Sequence, residues 1–157
     1  MSSLVGAAER WVPIFCAVTV ACATSLFGAA GVEVWSAGDL RASAERLASG
    51  AEAKNIAGTS LGAASLWRRA KSGEAELHKT KTDLLVIEQG SATLVFGGSI
   101  PDARATAANE IRGKSIRNGE SRKVASGDII RIPAGTPHQF LLEKGQQVAY
   151  FALKIPR

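Results

Sequence analysis

Two histidines and the acidic residues near one of them have the greatest capacity for chemistry in this chain. The 157-residue sequence has only two histidines, His78 and His138, so any imidazole chemistry must use one or both of them. Two carboxylates, Glu76 and Asp83, flank His78. Imidazole suits Zn, Cu, Fe and Ni, whereas carboxylate oxygens favour harder ions such as Mn. The four residues are therefore candidate ligands of a divalent metal ion.

The segment that ends at His138 has regularly placed turn residues. Gly127 precedes a short apolar run, and Pro133 and Gly135 follow that run with the spacing Gly-x5-Pro-x-Gly-x2-His. Glycine and proline at these positions predict a turn, a buried strand and a tight bend. The bend starts a further predicted strand at His138, whose side chain is expected to point into the protein.

The segment around His78 has a second, looser pattern. Residues two apart on a strand point to the same face, so Glu76 and His78 are expected to project together. Asp83 follows His78 with four residues between them, and Gly90 follows Asp83 with six between them. In an alternative register Thr80 takes the place of His78 and the site is weaker. The register that uses His78 is preferred on the resemblance described next, because it keeps the spacing from histidine to acid that is usual there.

These two segments resemble the two sequence motifs of the cupin superfamily. The run from about residue 62 to 154 is similar to small exported bacterial cupin-domain proteins whose first motif is His-x4-Asp. Two positions depart from the family pattern, since Glu76 replaces the first histidine and Leu142 replaces the final asparagine of the second motif. The resemblance implies a double-stranded β-helix, or jelly-roll barrel, with a divalent metal inside. It also implies a homodimer formed through edge strands.

The expected chemistry depends on this metal. Glu76 in place of an imidazole adds negative charge, which favours Mn(II), Fe(II) or Zn(II) over Ni and Cu. Two histidines and one carboxylate with open positions are typical of non-haem iron oxygenases. We therefore expect a metal-dependent oxygenase, isomerase or lyase acting on a small oxygenated molecule. The alternative is a non-catalytic cupin that binds a small ligand as a sensor or scaffold. No residue is assigned a catalytic role.

Three further residues are candidates for the pocket. Glu110, in a Glu-Ile-Arg-Gly run, either reaches the mouth of the barrel or pairs with Arg112 as an ordinary loop acid. Strand alternation allows Gln139 and Tyr150 to line the pocket, but it is equally compatible with core or surface positions.

The elements that position these residues are mostly strands. An amphipathic helix is expected at 36–50, where Ser36 is the candidate N-cap, and residues 51–61 are expected to form a loop. Beyond Gly62, short apolar runs alternate with turn residues, as in an all-β sandwich or barrel. Gln89-Gly90 predicts a hairpin turn, and 99–118 a polar loop. The predicted strands lie at 65–69, 83–88, 92–96, 121–124, 129–132, 139–142 and 147–155.

The first part of the chain differs in character. An uncharged, largely apolar stretch runs from Trp11 to Val32, with small residues at Ala21-Cys22-Ala23 and Gly28-Ala29-Ala30 where a signal peptidase prefers to cut. Residues 1–31 are thus a cleaved signal peptide, giving a periplasmic or secreted protein, or an uncleaved membrane anchor. The remaining predicted parts are a helix and loop at 32–61 and the cupin barrel at 62–157. Cleavage would also remove both cysteines, as suits an oxidising compartment.

The charge and the remaining motifs exclude several classes of protein. The net charge is +5, but basic and acidic residues are mixed along the chain and no basic run is interleaved with aromatic residues. This distribution indicates a solvated surface and no nucleic-acid partner, so a small molecule is the expected partner. The sequence has no P-loop, no Rossmann glycine pattern, no His-Glu-x-x-His, no cysteine-based zinc spacing and no serine nucleophile elbow.

Overall fold

The computed structural model describes residues 34–47, 52–59 and 62–157. The predicted signal peptide or anchor, residues 1–31, lies outside the described residues, and so does the predicted end of the helix at Gly50. Within the described part of the chain, no helix is long and apolar enough to cross a membrane.

The described ranges contain one helix and ten strands. In chain order they are α1 (Ala37–Arg46), β1 (Glu52–Thr59), β2 (Gly62–Arg69), β3 (Ala75–His78), β4 (Lys81–Phe96), β5 (Arg104–Ala107), β6 (Glu110–Gly113), β7 (Glu120–Ala125), β8 (Ile129–Ile132), β9 (His138–Leu141) and β10 (Val148–Pro156).

The predicted amphipathic helix is confirmed as α1. Ser36 caps its N-terminus, because its hydroxyl oxygen accepts a hydrogen bond of 3.1 Å from the backbone N–H of Asp39. The buried face of the helix carries Ala44, which packs with Leu66 of β2 and Ala149 of β10. The helix therefore covers the outer face of these two strands and contributes no residue to the site described below.

The strands form two antiparallel sheets that share β4. One sheet has the order β1-β2-β10-β4-β8, and the other has the order β7-β4-β9-β3-β6-β5. A single apolar cluster contains residues from both sheets, including Ile87 of β4, Ile132 of β8 and Phe140 of β9. The core therefore lies between the sheets, and the predicted all-β architecture is confirmed.

Strand β4 corrects one prediction. The chain does not reverse at Gln89-Gly90 as a hairpin; it continues as one strand of 16 residues. Gly90 has a φ of 74°, a value that glycine adopts without steric cost. Its conformation bends the strand, so that the part before Gly90 pairs with β10 and β8 and the part after it pairs with β7 and β9.

Two predicted loops are also wrong. Strand β1 occupies 52–59, where a loop was expected, and β5 and β6 form a hairpin inside the expected polar loop at 99–118. All four residues of β5 are exposed, so the strand has no apolar alternation from which it could be recognised. Pairing with β2 and with β3 stabilises these segments as strands. The strands predicted at 65–69, 121–124, 129–132, 139–142 and 147–155 are found within a few residues of those bounds.

Alternation along β4 leads from the apolar core to a polar end of the barrel. Asp83, Leu85 and Ile87 are all buried, whereas the residues between them are only partly buried. On the antiparallel neighbour β10, Tyr150 and Ala152 are buried. The face that carries the core therefore places the carboxylate of Asp83 inside the barrel, at the beginning of β4.

The close approach at Gly90 gives a test of the fold. A Cβ atom at Gly90 would lie 1.9 Å from the carbonyl oxygen of Gln147, whereas one at Gly97, with a nearly equal φ of 75°, would meet nothing within 4 Å. We expect Gly97→Ala to lower the free energy of unfolding by about 1 kcal/mol through backbone strain alone. We expect Gly90→Ala to lower it by about 3 kcal/mol or more, because the backbone must also move. Urea unfolding of both variants measures the difference, and equal losses would contradict the bend at Gly90.

Candidate metal centre

The two motif segments meet because β3 and β9 are neighbours. Glu76 and His78 lie on β3, and His138 is the first residue of β9, directly opposite Glu76 in the antiparallel pair. Asp83 approaches from β4, one turn after β3. Thr80, the alternative to His78, is exposed in that turn. The register that uses His78 is therefore the one that brings the motif residues together.

The four predicted ligands converge at one point. One ligand atom each from Glu76, His78 and His138 lies within 4.8 Å of the other two. The Oδ2 atom of Asp83 is 3.3 Å from Nε2 of His78 and 3.5 Å from Nε2 of His138. Both histidines and Asp83 are buried, and Glu76 is nearly so. The geometry is compatible with a shared ion, and binding itself stays a prediction.

Each imidazole ring is held in place by a hydrogen bond from its Nδ1 atom. Nδ1 of His78 donates a hydrogen bond to the carboxylate of Glu110, and Nδ1 of His138 donates one of 3.1 Å to the carbonyl oxygen of Thr136. A carboxylate and a carbonyl only accept, so the proton is assigned to Nδ1 in each ring. The Nε2 atoms are left facing the cluster with their lone pairs. Such outer partners orient histidines that ligate metals.

Two arginines hold Glu76. Its Oε1 accepts hydrogen bonds from Arg69 at 3.1 Å and pairs with Arg112 at 2.9 Å, while its Oε2 lies 3.7 Å from Nε2 of His78. Burial by itself would raise the pKa of Glu76, but the positive charges of Arg112 and Arg69 bring that pKa below its usual value. Glu76 is therefore an ionised carboxylate with one oxygen committed to arginine and the other facing the histidines.

Lys154 is the cation that faces Asp83. Its Nζ donates hydrogen bonds of 2.8 Å to Oδ1 of Asp83 and 2.8 Å to Nε2 of His78. Burial would raise the pKa of Asp83, but the neighbouring ring of His78 and the charge of Lys154 lower that pKa to about 2. Asp83 is thus also ionised, although little of it reaches solvent.

The two histidines differ in their affinity for a proton. Burial would lower the pKa of His78, but the neighbouring carboxylates of Asp83 and Glu110 reverse the effect and raise that pKa above its usual value. Burial keeps the pKa of His138 below its usual value, despite the charge of Asp83. The acidic neighbours thus make Nε2 of His78 the stronger attractor of a cation, and His138 is a neutral ring that can act as a ligand.

The donor set fits a divalent metal. Two imidazole nitrogens and one carboxylate, with a second carboxylate beside them, form the 2-His-1-carboxylate combination that binds Fe(II) and is acceptable to Mn(II) and Zn(II). The rings are already orientated, and the group that would act as the carboxylate ligand is ionised. Glu76, His78 and His138 would hold the ion, and Asp83 lies close enough to join them.

The predicted pocket residues all line the same cavity, with a volume of about 320 Å³, but their roles differ. Glu110 lies opposite His78 on β6 and contacts its ring, so it is not a loop acid paired with Arg112. Gln139 donates from Nε2 to the carbonyl oxygens of residues 73 and 114, at 2.9 and 3.0 Å, which stabilises the neighbouring segments. The hydroxyl of Tyr150 accepts a hydrogen bond of 2.8 Å from Arg69.

Three cations of the site were missed by the sequence analysis, namely Arg69, Arg112 and Lys154. For Lys154 a signal was present, because alternation along β10 places it on the same face as the pocket candidate Tyr150. Arg112 can be placed in the site only from the register of β6 against β3, in which it lies opposite Glu76. Arg69 ends the predicted strand at 65–69, where alternation places it on the same face as Trp67, but no motif marks that face as part of the site.

Comparisons with known proteins agree on the fold. No family model matches the sequence, and no curated protein matches it. Among solved structures, an uncharacterized protein with a double-stranded β-helix domain from Klebsiella pneumoniae is similar with 12% identity and a TM-score of 0.55, over 80% of this chain and 90% of that one. Hydroquinone 1,2-dioxygenase from a Sphingomonas species, solved with 4-hydroxybenzoate bound, is similar with 14% identity and a TM-score of 0.56, over 74% and 71%.

A third solved structure, a protein from Neisseria meningitidis, is similar with 13% identity and a TM-score of 0.51 over 73% of this chain and 96% of that one. At such low identity these likenesses concern the fold, and they do not transfer an activity. The two sheets that share β4, the core between them and the histidines at one end of the barrel agree with the same assignment. The chain has a double-stranded β-helix fold.

Proposed function

We propose that this protein is an exported, metal-dependent enzyme that acts on a small oxygen-bearing molecule inside the barrel. One observation carries the proposal. Nε2 of His78, Nε2 of His138 and a carboxylate oxygen of Glu76 face one point, while the second nitrogen of each ring is held by an acceptor. Histidines that only pack in a core have no need for their nitrogen lone pairs to point to the same place as a carboxylate oxygen.

The metal would be Mn(II), Fe(II) or Zn(II), held by Glu76, His78 and His138 with Asp83 beside them. When bound, such an ion polarises an oxygen atom of a ligand or activates a water molecule. The chain's own residues prepare the site. Glu110 keeps the proton of His78 on Nδ1, so that the lone pair of this ring stays directed into the cavity.

The charges of the cavity favour an oxygen-rich or anionic ligand. Its lining contains four basic and four acidic side chains, which cancel as formal charges before the two histidines are considered. A divalent ion would add two positive charges to a partly enclosed space, where uncompensated charge is costly. A ligand that carries a carboxylate, enolate or phenolate oxygen offsets part of this added charge. The eight side chains are Arg69, Lys81, Arg112, Lys154, Glu74, Glu76, Asp83 and Glu110.

The size and walls of the cavity favour a small molecule. A volume of about 320 Å³ lies near the lower end for ligand sites, which run from about 300 to 1,000 Å³. Its apolar wall includes Leu85, Phe140 and Ala152. Lys81 and Arg112 are more exposed than the other basic lining residues and can attract an anionic ligand.

Catalysis is supported by the groups that surround the candidate ligands. Lys154 and Asp83 form a hydrogen-bonded pair next to His78, so a cationic hydrogen-bond donor and an anionic acceptor both lie beside the candidate ligands. The fold is similar to that of a dioxygenase that was solved with a small aromatic acid bound, which agrees with a small ligand in this cavity. The reaction is proposed to be oxygenation, isomerisation or lyase cleavage.

A non-catalytic ligand-binding cupin is the second candidate. The observation that favours it is the contact of Lys154 with both Asp83 and His78, which satisfies these groups without an ion. A screen with oxygenase, isomerase and lyase substrates separates the two candidates. Stoichiometric metal together with ligand binding but no turnover across the screen would favour the binding protein.

The first prediction concerns metal content. We expect protein purified without chelator, then loaded with Mn²⁺, Fe²⁺ or Zn²⁺, to bind one ion per chain by elemental analysis. We expect His78→Ala and His138→Ala each to lower the affinity by about 100-fold or more, because a direct ligand matters more than an outer partner, whose loss costs about 10–100-fold. Glu76→Gln keeps the shape of the side chain and is also expected to weaken binding.

Glu74→Gln is the matched control for Glu76→Gln. Glu74 lines the same cavity, but its carboxylate is 44% exposed and pairs with Arg104 at 2.7 Å. The Glu74→Gln variant should therefore bind the metal as wild-type protein does. Equal metal content in Glu76→Gln and wild-type protein would remove Glu76 from the ligand set, and metal retained in both histidine variants would refute the site.

The second prediction concerns the arginine that holds Glu76. Arg69 is buried and serves both Glu76 and Tyr150. We expect Arg69→Met to lower the free energy of unfolding by about 2 kcal/mol or more, since it leaves buried partners incompletely paired. It should also weaken metal binding about tenfold, because Glu76 loses its orientation. Urea unfolding and metal titration measure the two effects.

Arg104→Met serves as the control for Arg69→Met. The guanidinium of Arg104 is 52% exposed and pairs with Glu74, so its loss should cost less than about 1 kcal/mol. Metal affinity should be unchanged in this variant. A stability loss in Arg69→Met no larger than that in Arg104→Met would argue against the buried pairing.

The third prediction concerns export. The uncharged stretch from Trp11 to Val32 supports a cleaved signal peptide. We expect the full chain, expressed in a bacterial host, to be recovered outside the cytoplasm with an intact mass short of its first ~23–31 residues. Val18→Lys, in the apolar centre, should block export. Recovery of the uncut chain in the membrane fraction would instead support the anchor.

A further inference from the structure

The ammonium group of Lys154 contacts two of the side chains that are candidate ligands of the metal. Its Nζ lies 2.8 Å from Nε2 of His78 and 2.8 Å from Oδ1 of Asp83. We propose that Lys154 is a built-in cation that competes with a divalent metal for His78. The proposal rests on the metal site described above, and it adds a residue that sets the affinity and selectivity of that site.

The position of Lys154 is fixed by the sheet. On the antiparallel strands β10 and β4, Lys154 and Asp83 are directly opposite each other. Cross-strand neighbours of this kind have their Cβ atoms about 5 Å apart, which brings side chains of opposite charge into contact. The contact is therefore built into the register of two central strands.

The competition follows from the number of lone pairs on His78. Nδ1 of this ring carries the proton and donates a hydrogen bond to Glu110, so Nε2 has one lone pair, in the plane of the ring. Lys154 uses this lone pair as a hydrogen-bond acceptor. A metal ion needs the same lone pair, and the two cations cannot share it. Lys154 must therefore leave Nε2 before His78 can act as a ligand.

Lys154 can leave at modest cost. Its side chain is 24% exposed and is carried on a flexible four-carbon stem, so its charge can move towards solvent. Asp83 need not be left unpaired, because its Oδ2 already lies 3.3 and 3.5 Å from the two Nε2 atoms and would face the incoming charge. The exchange replaces one positive charge with two, which favours divalent over monovalent ions.

Removal of Lys154 therefore should strengthen metal binding. We expect Lys154→Met to bind Zn²⁺ more tightly than wild-type protein by about tenfold or more, because a charged hydrogen bond and a like charge no longer oppose the ion. Zn²⁺ titration against a chromophoric chelator measures the affinity. Lys154→Gln, which retains a polar contact for Asp83, is measured in parallel in case the methionine variant folds poorly.

Lys81→Met is the matched control. Lys81 lines the same cavity and carries the same charge, but its side chain is 46% exposed and its nearest acidic partner is Glu110, at 4.0 Å. It should change Zn²⁺ affinity much less than Lys154→Met does. An equal gain in the two variants would show a general electrostatic effect and would overturn the competition.

A measurement on wild-type protein provides a second test. Amine labelling followed by peptide mass spectrometry should modify Lys154 slowly without Zn²⁺ and faster with saturating Zn²⁺, because the ion releases its Nζ. The labelling of Lys81 should change little. Labelling of Lys154 that does not increase when Zn²⁺ is bound would overturn the proposal even if neither variant folded.

The outcomes also separate this proposal from the proposed function. If wild-type protein, Lys154→Met and Lys154→Gln bind Zn²⁺ with the same affinity, the metal site stands and the competition is refuted. If Zn²⁺ binds to none of the three folded proteins, the proposed function fails, and the competition fails with it. If Zn²⁺ binds more tightly to the Lys154 variants and not to Lys81→Met, the result supports both the metal site and the competition.

Discussion

Glu76 and Asp83 lie inside the barrel as charged groups because cations from other strands face them. Arg69 and Arg112 hold one oxygen of Glu76, and Lys154 holds one oxygen of Asp83. Without these partners, each carboxylate would be neutralised or would destabilise the fold, since burial alone raises its pKa. The polar end of the cavity therefore depends on ion pairs between strands β2, β3, β6, β4 and β10, and these same strands surround the histidines.

The second motif could be located from the sequence because its positions are set by local turn geometry. Gly127 and Gly135 both have positive φ values, and each lies at a turn that the sequence predicted. His138 follows such a turn, so its place at the start of a strand was correct. The convergence of Glu76 with His78 on one side of β3 also followed from a period of two.

The remaining parts depend on contacts between distant segments. Gly90 bends one long strand where the dipeptide Gln89-Gly90 is equally typical of a hairpin, and only pairing with two different sheets distinguishes these outcomes. The exposed strand β5 has no pattern of burial at all. Arg112 reaches the site through the register of β6 against β3, a relation that one sequence does not contain.

The departure of Glu76 from the cupin motif that the sequence resembles is linked to the arginines. A carboxylate in place of an imidazole brings an extra negative charge into a buried cluster that already contains Asp83, and like charges at short range oppose each other. Arg69 and Arg112 cancel this charge at Oε1 and leave Oε2 facing His78. Neither arginine belongs to a motif, so the motif alone indicates a degraded site. In the structure, the two arginines balance the charge of Glu76. The first motif therefore differs in its donor atoms, but its residues still converge with His138.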